Sequence, residues 1–491
     1  MNNLMKRIII TIFLATAVVI VKAQPVMLHP ENPHYFLFRG KPLTIVSSGE
    51  HYGAVLNPDF DYIKYLNTLQ QDGMVYTRLF SGTYFERAGS LGIEKNTLAP
   101  APGKALLPWK RSNEPGAACG GNKFDLDQWD ENYFTRLKSF VSEASAKGII
   151  VEISLFSSIY SYWDIQVWNR NNNINIKEDI EKEEIQTLNN GPVLGYQENV
   201  VRKIVREINE FDNVIYEIQN EPWSDHTVTS AVKSEYFKRQ DFAQESSEWR
   251  NVVDLADQAS LDWQKKIASF ITDEENKLNK KHLIAQNYCN FYFPVAEVDP
   301  AVSVMNFHYA YPVVVEQNYA YNRVISFDES GFAGSADATY RKQAWKFILA
   351  GGGLFNNLDY SFAVGEEDGM AVNKAPGGGS NRLRKQLKVL SDFINSFIIL
   401  KMKPDKDAVV QAPGSFTRAL SEPGKQYAVY IEGGNKCNLS LKIPKGNYSA
   451  EWFNTIDGSV MKAEKIKHYG GEITLTSPDY SEDIALKIIR L

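Results

Sequence analysis

Cysteine and histidine are scarce in the 491-residue sequence, and their scarcity excludes two kinds of site. Its three cysteines, Cys119, Cys289 and Cys437, are widely spaced and form no C-x-x-C pair, so they predict neither a disulfide framework nor a zinc site. The seven histidines are scattered and predict no cluster of metal ligands. We therefore expect no metal and no cofactor, and a fold whose stability depends on its hydrophobic core.

The sequence also lacks an excess of positive charge. Its formal net charge of −6 argues against a nucleic-acid partner, which would favour a basic surface. The glycine triplets at 351–353 and 377–379 are not followed by the Lys-Ser/Thr step of a phosphate-binding loop. A Gly-x-Ser-x-Gly motif of serine hydrolases is absent as well. Nothing in the sequence indicates a protein partner.

A long apolar run is missing except at the N-terminus. Lys6 and Arg7 precede an apolar stretch at 8–21, and Val-Lys-Ala precedes Gln24, a pattern typical of a cleaved signal peptide over residues 1–23. The alternative is a membrane anchor, but the run is shorter than the ~20 residues that span a bilayer. We expect export to the periplasm or the extracellular space, with no membrane span after cleavage.

Strand-like and amphipathic helix-like segments alternate after this point, which predicts a parallel sheet with helical crossovers. A hairpin over 35–43 precedes them. Eight strand-like runs match the strand number of a (β/α)8 TIM barrel, an α/β fold. These runs are 43–48, 74–80, 149–156, 214–220, 283–287, 302–308, 324–329 and 354–358. Helices are predicted at 62–71, 131–146, 198–211, 252–277, 340–350 and 383–397, with short, weakly helical crossovers after the fifth and sixth strands.

The pattern changes near Pro404 to short strands separated by turn residues. We predict a barrel over 24–403 and a small antiparallel β-sandwich over 404–491. The predicted strands of the sandwich are 416–420, 427–431, 439–443, 448–453, 472–476 and 484–489. We expect this domain to pack on the barrel through Trp452 and its neighbours; carbohydrate binding is the alternative.

Three strand-to-helix connections are unusually long: 81–123, 157–195 and 359–381. Long loops in compact domains are often functional. All three follow barrel strands, so they lie on the C-terminal face where barrel enzymes hold their active sites.

Two glutamates end strand-like runs on this face. Glu221 follows the run that ends in Ile218-Gln219-Asn220 and precedes Pro222, and Glu329 ends the run over 323–329, before Ser-Gly. Cleavage of a glycosidic bond needs one carboxyl group to protonate the leaving oxygen and another to attack or shield the sugar carbon. The sequence therefore indicates glycoside chemistry at the ends of the fourth and seventh strands.

The Asn220-Glu221-Pro222 step before Trp223 and the Glu329-Ser-Gly step resemble the clan A glycoside hydrolases, the cellulase-like TIM-barrel enzymes. The resemblance covers about residues 34–400 and implies a retaining β-glycoside hydrolase acting on β-linked oligo- or polysaccharide. It implies that Glu221 is the acid/base, Glu329 the nucleophile, and Asn220 a ligand of the sugar 2-hydroxyl. Retention predicts carboxyl groups about 5–5.5 Å apart.

Asp328 is the rival nucleophile, but strand neighbours point to opposite faces, so only one of Asp328 and Glu329 is expected inside the barrel. The same alternation places Glu217, Gln219 and Glu221 in the lumen. Glu217 and Glu152 are expected to be buried carboxylates, each paired with a lysine or arginine.

Arg78, in an apolar strand, is expected to lower the pKa of Glu329 and keep it ionised while Glu221 stays protonated. His308 matches the histidine that the family places after the sixth strand. The family's tyrosine two residues later is replaced by Ala310, so Tyr309 or Tyr311 is expected to contact the nucleophile, and the sequence does not decide between them.

Further residues on these loops are candidates for carbohydrate contacts. The eighth strand ends in Phe355-Asn-Asn-Leu-Asp-Tyr, without the tryptophan that is common in the family. The candidates are Glu50, His51, Tyr160, Tyr162, Trp163, Trp168, Asp359 and Tyr360. A non-catalytic carbohydrate-binding protein on a degenerate barrel is the alternative function.

Overall fold

A computed structural model of the protein describes residues 24–229 and 252–491. The predicted signal peptide, residues 1–23, lies outside the described residues. Three short antiparallel strands come first: β1 (Met27–His29), β2 (Asn32–Phe38) and β3 (Lys41–Leu43). They are followed by β4 (Ile45–Gly49), β5 (Tyr76–Phe80), β6 (Trp109–Pro115), β7 (Asn122–Trp129), β8 (Ile150–Ser157), β9 (Val214–Asn220), β10 (Thr227–Thr229), β11 (Asp254–Ala256), β12 (Leu283–Asn290), β13 (Val302–His308), β14 (Val324–Glu329) and β15 (Leu354–Leu358).

The predicted TIM-barrel fold is confirmed. Among the described strands, eight are parallel and pair in the order β4-β15-β14-β13-β12-β9-β8-β5. Side chains bring the two ends of this sheet together: Ser47 Oγ on β4 donates to the Tyr76 carbonyl on β5 at 2.5 Å. The sheet is therefore a nearly closed cylinder.

Helices surround the barrel: α1 (Tyr62–Gln71), α2 (Glu131–Ala146), α3 (Val193–Ile208), α4 (Gln258–Glu275), α5 (Val313–Asn318), α6 (Asp337–Leu349) and α7 (Asn381–Asn395). The predicted bounds of α1 and α2 are confirmed. The fourth helix begins later than predicted because residues 254–256 form β11 and the Asp257 side chain caps the helix by accepting from the Ser260 N–H. Between residues 24–229 and 252–491, no helix has the length and apolar character that a membrane crossing needs.

The N-terminal hairpin closes the bottom of the barrel. One apolar cluster contains residues from the N-terminal parts of all eight barrel strands together with Phe36 and Phe38 of β2. Apolar side chains therefore fill the barrel interior at this end, opposite the C-terminal face.

The C-terminal part is an antiparallel sandwich, as predicted. Its strands are β16 (Lys403–Pro404), β17 (Val409–Gln411), β18 (Phe416–Glu422), β19 (Gln426–Glu432), β20 (Asn438–Lys442), β21 (Gly446–Asn454), β22 (Val460–His468), β23 (Glu472–Thr476) and β24 (Asp483–Arg490). They form a six-stranded and a three-stranded sheet around one apolar core. The predicted domain boundary after residue 403 stays a prediction.

The sandwich contacts the barrel through a neighbour of Trp452 rather than through Trp452 itself. Trp452 is fully buried in the core of the sandwich, whereas Phe453 packs edge-on against Phe393 of α7 with ring centroids 5.4 Å apart. A second contact, which was not expected, is made by Tyr430, which stacks on Trp345 of α6 with ring centroids 5.5 Å apart. Next to it, Arg341 of α6 pairs with Asp483 of β24 at 2.6 Å. A stacked ring pair and a buried ion pair thus fix β19 and β24 against α6.

Candidate active site

Glu221 and Glu329 meet at the C-terminal end of the barrel. Glu221 follows β9, Glu329 ends β14, and both line a cavity of about 370 Å³. One carboxylate oxygen of each and one ring nitrogen of His308 lie within 4.8 Å of one another. The carboxyl groups of Glu221 and Glu329 are therefore neighbours at one place in the cavity wall.

Tyrosine hydroxyls hold both carboxylates. The Tyr309 hydroxyl lies 3.1 Å from Glu221 Oε1 and 2.9 Å from Glu329 Oε1, so it donates to one or the other. Tyr160 donates to Glu221 at 2.7 Å and Tyr52 to Glu329 at 2.9 Å. Tyr309, rather than Tyr311, is therefore the tyrosine that contacts Glu329.

Four of these residues have left-handed backbone conformations, which are uncommon for residues other than glycine. The φ angles are 60° for Tyr52, 54° for Tyr160, 47° for Glu221 and 51° for Tyr309. For Glu221, the side chain of Asn287 supports this conformation by accepting the Glu221 N–H at 2.9 Å. Such strained residues concentrate at functional sites, where the surrounding structure holds them in place.

A β-bulge places both Asp328 and Glu329 inside the barrel. Asn306 of β13 pairs with Ser326, but the next inward residue, His308, pairs with Glu329, so β14 contains one extra residue here. Arg78 contacts both carboxylates, Asp328 at 3.5 Å and Glu329 at 3.0 Å. The expectation that only one of the two faces the lumen is wrong, because simple alternation fails at a bulge.

Arg78 is the central cation of the site. Its side chain is fully buried, donates to Glu329 and to Asn220 Oδ1 at 2.8 Å, and pairs with Glu217. The ring of Tyr52 lies 4.7 Å from its guanidinium carbon. One guanidinium thus fixes the positions of Glu329, Asn220 and Glu217 together, which its planar fork of donors allows.

His308 lies between Glu221 and Asp328. Its Nδ1 is 2.8 Å from Glu221 and its Nε2 is 3.3 Å from Asp328. Burial alone would lower the pKa of His308, but the carboxylates of Glu329 and Asp328 raise it well above its ordinary value. Burial alone would raise the pKa of Glu221, but hydrogen bonds from His308, Tyr160 and Tyr309 lower it.

These directions differ from the expectation that Glu221 stays protonated, which stays a prediction. In the substrate-free site the proton is favoured on His308, and Glu221 is favoured as its ionised partner. The physical cause is two further carboxylates at the imidazole: Asp328 at Nε2, and Glu329, which lies 3.6 Å from Nδ1 on the same side as Glu221. Proton transfer from this site is therefore a property of the Glu221–His308 pair.

Glu217 and Glu152 lie one layer below. Glu217 pairs with Arg78 as expected, whereas Glu152, among the described residues, accepts from Asn306 alone, at 2.7 Å, and pairs with no cation. Burial raises the pKa of Glu152 well above its ordinary value, and the charge of Glu217 adds to this. Burial and the neighbouring charge therefore both favour the neutral form of Glu152.

The expected alternation also ends at Gln219. Its side chain donates to Gln186 in the loop after β8, at 2.6 Å, while Asn220 takes the position beside Arg78. The alternation of inward and outward side chains therefore changes between Glu217 and Asn220, and the amide of Asn220 reaches the cavity.

Of the other candidates at the ends of β4 and β15, half line the cavity. His51 and Tyr360 are in its wall. Glu50 is fully buried below it and accepts the N–H groups of Gly53 and Ala54, and burial raises its pKa to about 7. Asp359 is also fully buried and accepts from Arg384 at 2.7 Å. Glu50 and Asp359 lie outside the cavity wall and stabilise the loops that begin there, so sugar contacts by these two residues stay a prediction.

The tryptophans expected to stack on sugars lie outside the wall. Trp168 is 2% exposed and packs edge-on against Trp109 in the core. Trp163 packs beside the same core. Tyr311 packs against Phe291 and Tyr292. Of the aromatic candidates after β8, Tyr160 does line the cavity, together with rings that the sequence did not indicate, namely Phe80, Tyr84, Trp223 and Phe332.

Two acidic wall residues were not recognised in the sequence. Glu86 lies in the long connection after β5, and Asp254 begins β11. No motif marks either residue, because each reaches the cavity through a connection that does not follow the alternation of the barrel. For Glu86 the only signal was a charged residue in a long connection on the catalytic face, which applied to many positions. Asp254 lay within the predicted helix 252–277 and had no signal.

No protein-family model matches the chain, and the comparison with curated proteins finds no match. Solved structures do match. One glycoside hydrolase superposes with a TM-score of 0.60 at 12% identity, covering 95% of this chain and 97% of that one. A glycoside hydrolase of family 5 from Bacteroides vulgatus gives a TM-score of 0.60 at 11% identity, covering 95% and 93%. The protein is therefore similar in fold, over nearly its whole length, to glycoside hydrolases built from a barrel.

Proposed function

We propose that the protein is a retaining β-glycoside hydrolase with Glu329 as nucleophile and Glu221 as acid/base. The observation on which the proposal depends is the contact of one hydroxyl, that of Tyr309, with both carboxylates. Carboxyl groups that a single hydroxyl bridges are too close to leave room for the water of an inverting mechanism. The fold shared with glycoside hydrolases supports the same proposal.

In the first step the Glu329 carboxylate attacks the anomeric carbon, and the bond from that carbon to the glycosidic oxygen breaks. Glu221 transfers a proton to the departing oxygen; because His308 is 2.8 Å away, the proton held by the pair reaches the leaving group through Glu221. Arg78 and Tyr52 hold Glu329 in position for attack. Asn220 lies where it can bind the 2-hydroxyl of the sugar.

In the second step water attacks the anomeric carbon of the glycosyl-enzyme. Glu221 accepts a proton from that water while the ester bond to Glu329 breaks, which regenerates the carboxylate and releases the sugar. Two inversions at one carbon give net retention. The predicted signal peptide adds the proposal that this hydrolysis takes place outside the cytoplasm.

The test uses a panel of aryl β-glycosides and their 2-deoxy-2-fluoro analogues. We expect the fluoro-sugar that inactivates the protein to be found by mass spectrometry on a peptide containing Glu329. Proton NMR of early product is expected to show the β-anomer. Glu329→Gln is expected to reduce hydrolysis to background.

Glu221→Gln is expected to slow the hydrolysis of aryl glycosides with poor leaving groups by about 10²–10⁴-fold. The hydrolysis of dinitrophenyl glycosides should be slowed far less, since their leaving group does not need to be protonated. An α-anomer as first product would refute retention. Full activity of Glu329→Gln would refute the assignment of Glu329 as the nucleophile. Binding of oligosaccharide by the unmodified protein without hydrolysis of any substrate would support the alternative, a carbohydrate-binding protein.

A further inference from the structure

The catalytic pair divides the cavity into two sides. On the Glu221 side the wall includes Trp223 and Asp254. On the Glu329 side it includes His51, whose ring lies 5.6 Å from that of Tyr52. Glu221 protonates the leaving group and Glu329 attacks the sugar. The Glu329 side therefore receives the glycone, which is the sugar whose anomeric carbon is attacked.

A folded segment closes the glycone side. It belongs to the connection between β5 and β6, and its Glu86 N–H donates to the Leu98 carbonyl at 2.8 Å. Thr97 Oγ1 donates to the His51 carbonyl at 2.9 Å. A side chain at Gly53 would place its Cβ only 2.2 Å from the Thr97 carbonyl oxygen, so the segment and the loop after β4 are in close backbone contact. We call residues 84–98 the glycone wall.

The outer side of the glycone wall is also fixed. Glu94 exchanges two hydrogen bonds with Lys374, in the connection after β15, at 2.9 and 3.0 Å. Beside it, Lys95 pairs with Glu366 of the same connection. Attachments to the loops of both β4 and β15 make the wall part of the barrel face rather than a free loop.

Glu86 is the polar centre of this wall. It is 4% exposed and accepts from Asn96 at 2.6 Å and from Tyr84 at 3.1 Å, and it lies 3.3 Å from His51 Nε2. No lysine or arginine of residues 24–229 and 252–491 pairs with it. A carboxylate has about four acceptor positions, so Glu86 keeps capacity for a further donor.

Two neighbouring polar atoms have spare capacity as well. His51 Nδ1 and the Tyr360 hydroxyl make no hydrogen bond to another described residue, and both residues line the cavity. A buried polar group without a partner is costly. Sugar hydroxyls, which both donate and accept, match this set of groups.

We propose that the glycone wall limits the cavity to one sugar beyond the cleaved bond, so that the protein removes single neutral sugars from the non-reducing end, with Glu86 binding their hydroxyl groups. This inference rests on the proposed glycosidase function. The cavity of about 370 Å³ is at the low end of the ~300–1,000 Å³ of ligand pockets, which suits a short glycone on the closed side of the bond. Four carboxyl groups line it, namely Glu86, Glu221, Asp254 and Glu329, against the single imidazole of His51. This excess of acidic groups disfavours uronic acids.

The first test uses the unmodified protein and a β-linked oligosaccharide of the sugar that it hydrolyses best as an aryl glycoside. We expect monosaccharide as the first product, equal rates on the oligosaccharide and on its borohydride-reduced form, and little loss of viscosity with the parent polysaccharide. Early release of disaccharides and longer products, or a rapid fall in viscosity, would overturn the inference and leave the proposed function intact. No hydrolysis of any substrate and no labelling of Glu329 would overturn both.

The second test compares Glu86→Gln with Glu114→Gln, which changes an exposed glutamate on the hairpin of the same connection. Glu86→Gln is expected to lower kcat/KM about 10–100-fold on the parent aryl glycoside. The loss should be small on the one deoxy analogue that lacks the hydroxyl bound by Glu86, and Glu114→Gln should match the unmodified protein. An equal loss on every deoxy analogue, or none on the parent glycoside, would contradict a role in binding.

Discussion

Asp328 offers a sharp test of the proton position, because it lies on the far side of His308 from Glu221. Asp328→Asn keeps the size of the side chain and one acceptor oxygen but removes the charge that lies 3.3 Å from His308 Nε2. Coulomb's law gives an upper limit of about 5 kcal/mol for this pair at an effective dielectric constant of about 20. Opposite charges at such distances shift a pKa by about 1–3 units.

The direction of the pKa shift follows from the positive charge of the protonated His308 imidazole. Asp328 stabilises the protonated imidazole and raises the pKa of His308, so its neutralisation lowers the pKa at which the Glu221–His308 pair loses its proton. Only the protonated pair can transfer a proton to the leaving oxygen. The basic limb of the pH profile of kcat/KM is therefore expected to move to lower pH by about 1–3 units.

The assay is the initial rate of hydrolysis of an aryl glycoside with a poor leaving group, at closely spaced pH values. Asp392→Asn is the matched control, because it removes an exposed carboxylate on α7 that pairs with Lys388. A basic limb that stays in place, or moves to higher pH, would refute the inference that the proton of the pair is favoured on His308. Thermal unfolding of both variants establishes that the comparison is made on folded protein.

Three other substitutions test separate parts of the structure. Tyr309→Phe keeps the ring but removes the hydroxyl between the two carboxylates, and is expected to lower kcat/KM about 10–100-fold, measured on the same aryl glycoside. Arg78→Met leaves buried carboxylates without their cation and is expected to lower the free energy of unfolding by about 3–5 kcal/mol in urea titrations; an unchanged midpoint would contradict the ion network. Trp345→Ala removes the ring under Tyr430 and is expected to cost about 3–5 kcal/mol by the same measurement.

The barrel could be predicted because its strands are buried on both faces and appear in the sequence as nearly continuous apolar runs. The predicted bounds 214–220, 302–308, 324–329 and 354–358 are those of β9, β13, β14 and β15. Strands with another environment were missed. β22 is an edge strand in which five of nine residues are exposed and four are lysine or glutamate. β6 lies within the connection 81–123 that was predicted as loop, and β7 begins at its end.

The candidate site shows a similar division. Glu221 and Glu329 were found from strand-end motifs, and Arg78 from its position in an apolar strand. The contacts that set their chemistry depend on backbone geometry that the sequence does not specify: the bulge before Glu329 and the positive φ values of Tyr52, Tyr160 and Tyr309. Glycine would have marked such positions, but at these positions the chain has tyrosine.

The charges of the barrel interior fit the reaction that we propose. In the network around Arg78 and His308, these two cations are accompanied by five carboxyl groups: Glu152, Glu217, Glu221, Asp328 and Glu329. Burial and the charge of Glu217 favour the neutral form of Glu152, and the other four carboxyl groups still outnumber the two cations. Such an excess is costly in a free protein. It becomes favourable when the sugar ring develops the positive charge of an oxocarbenium-like transition state, because that charge then faces a negative potential already in place.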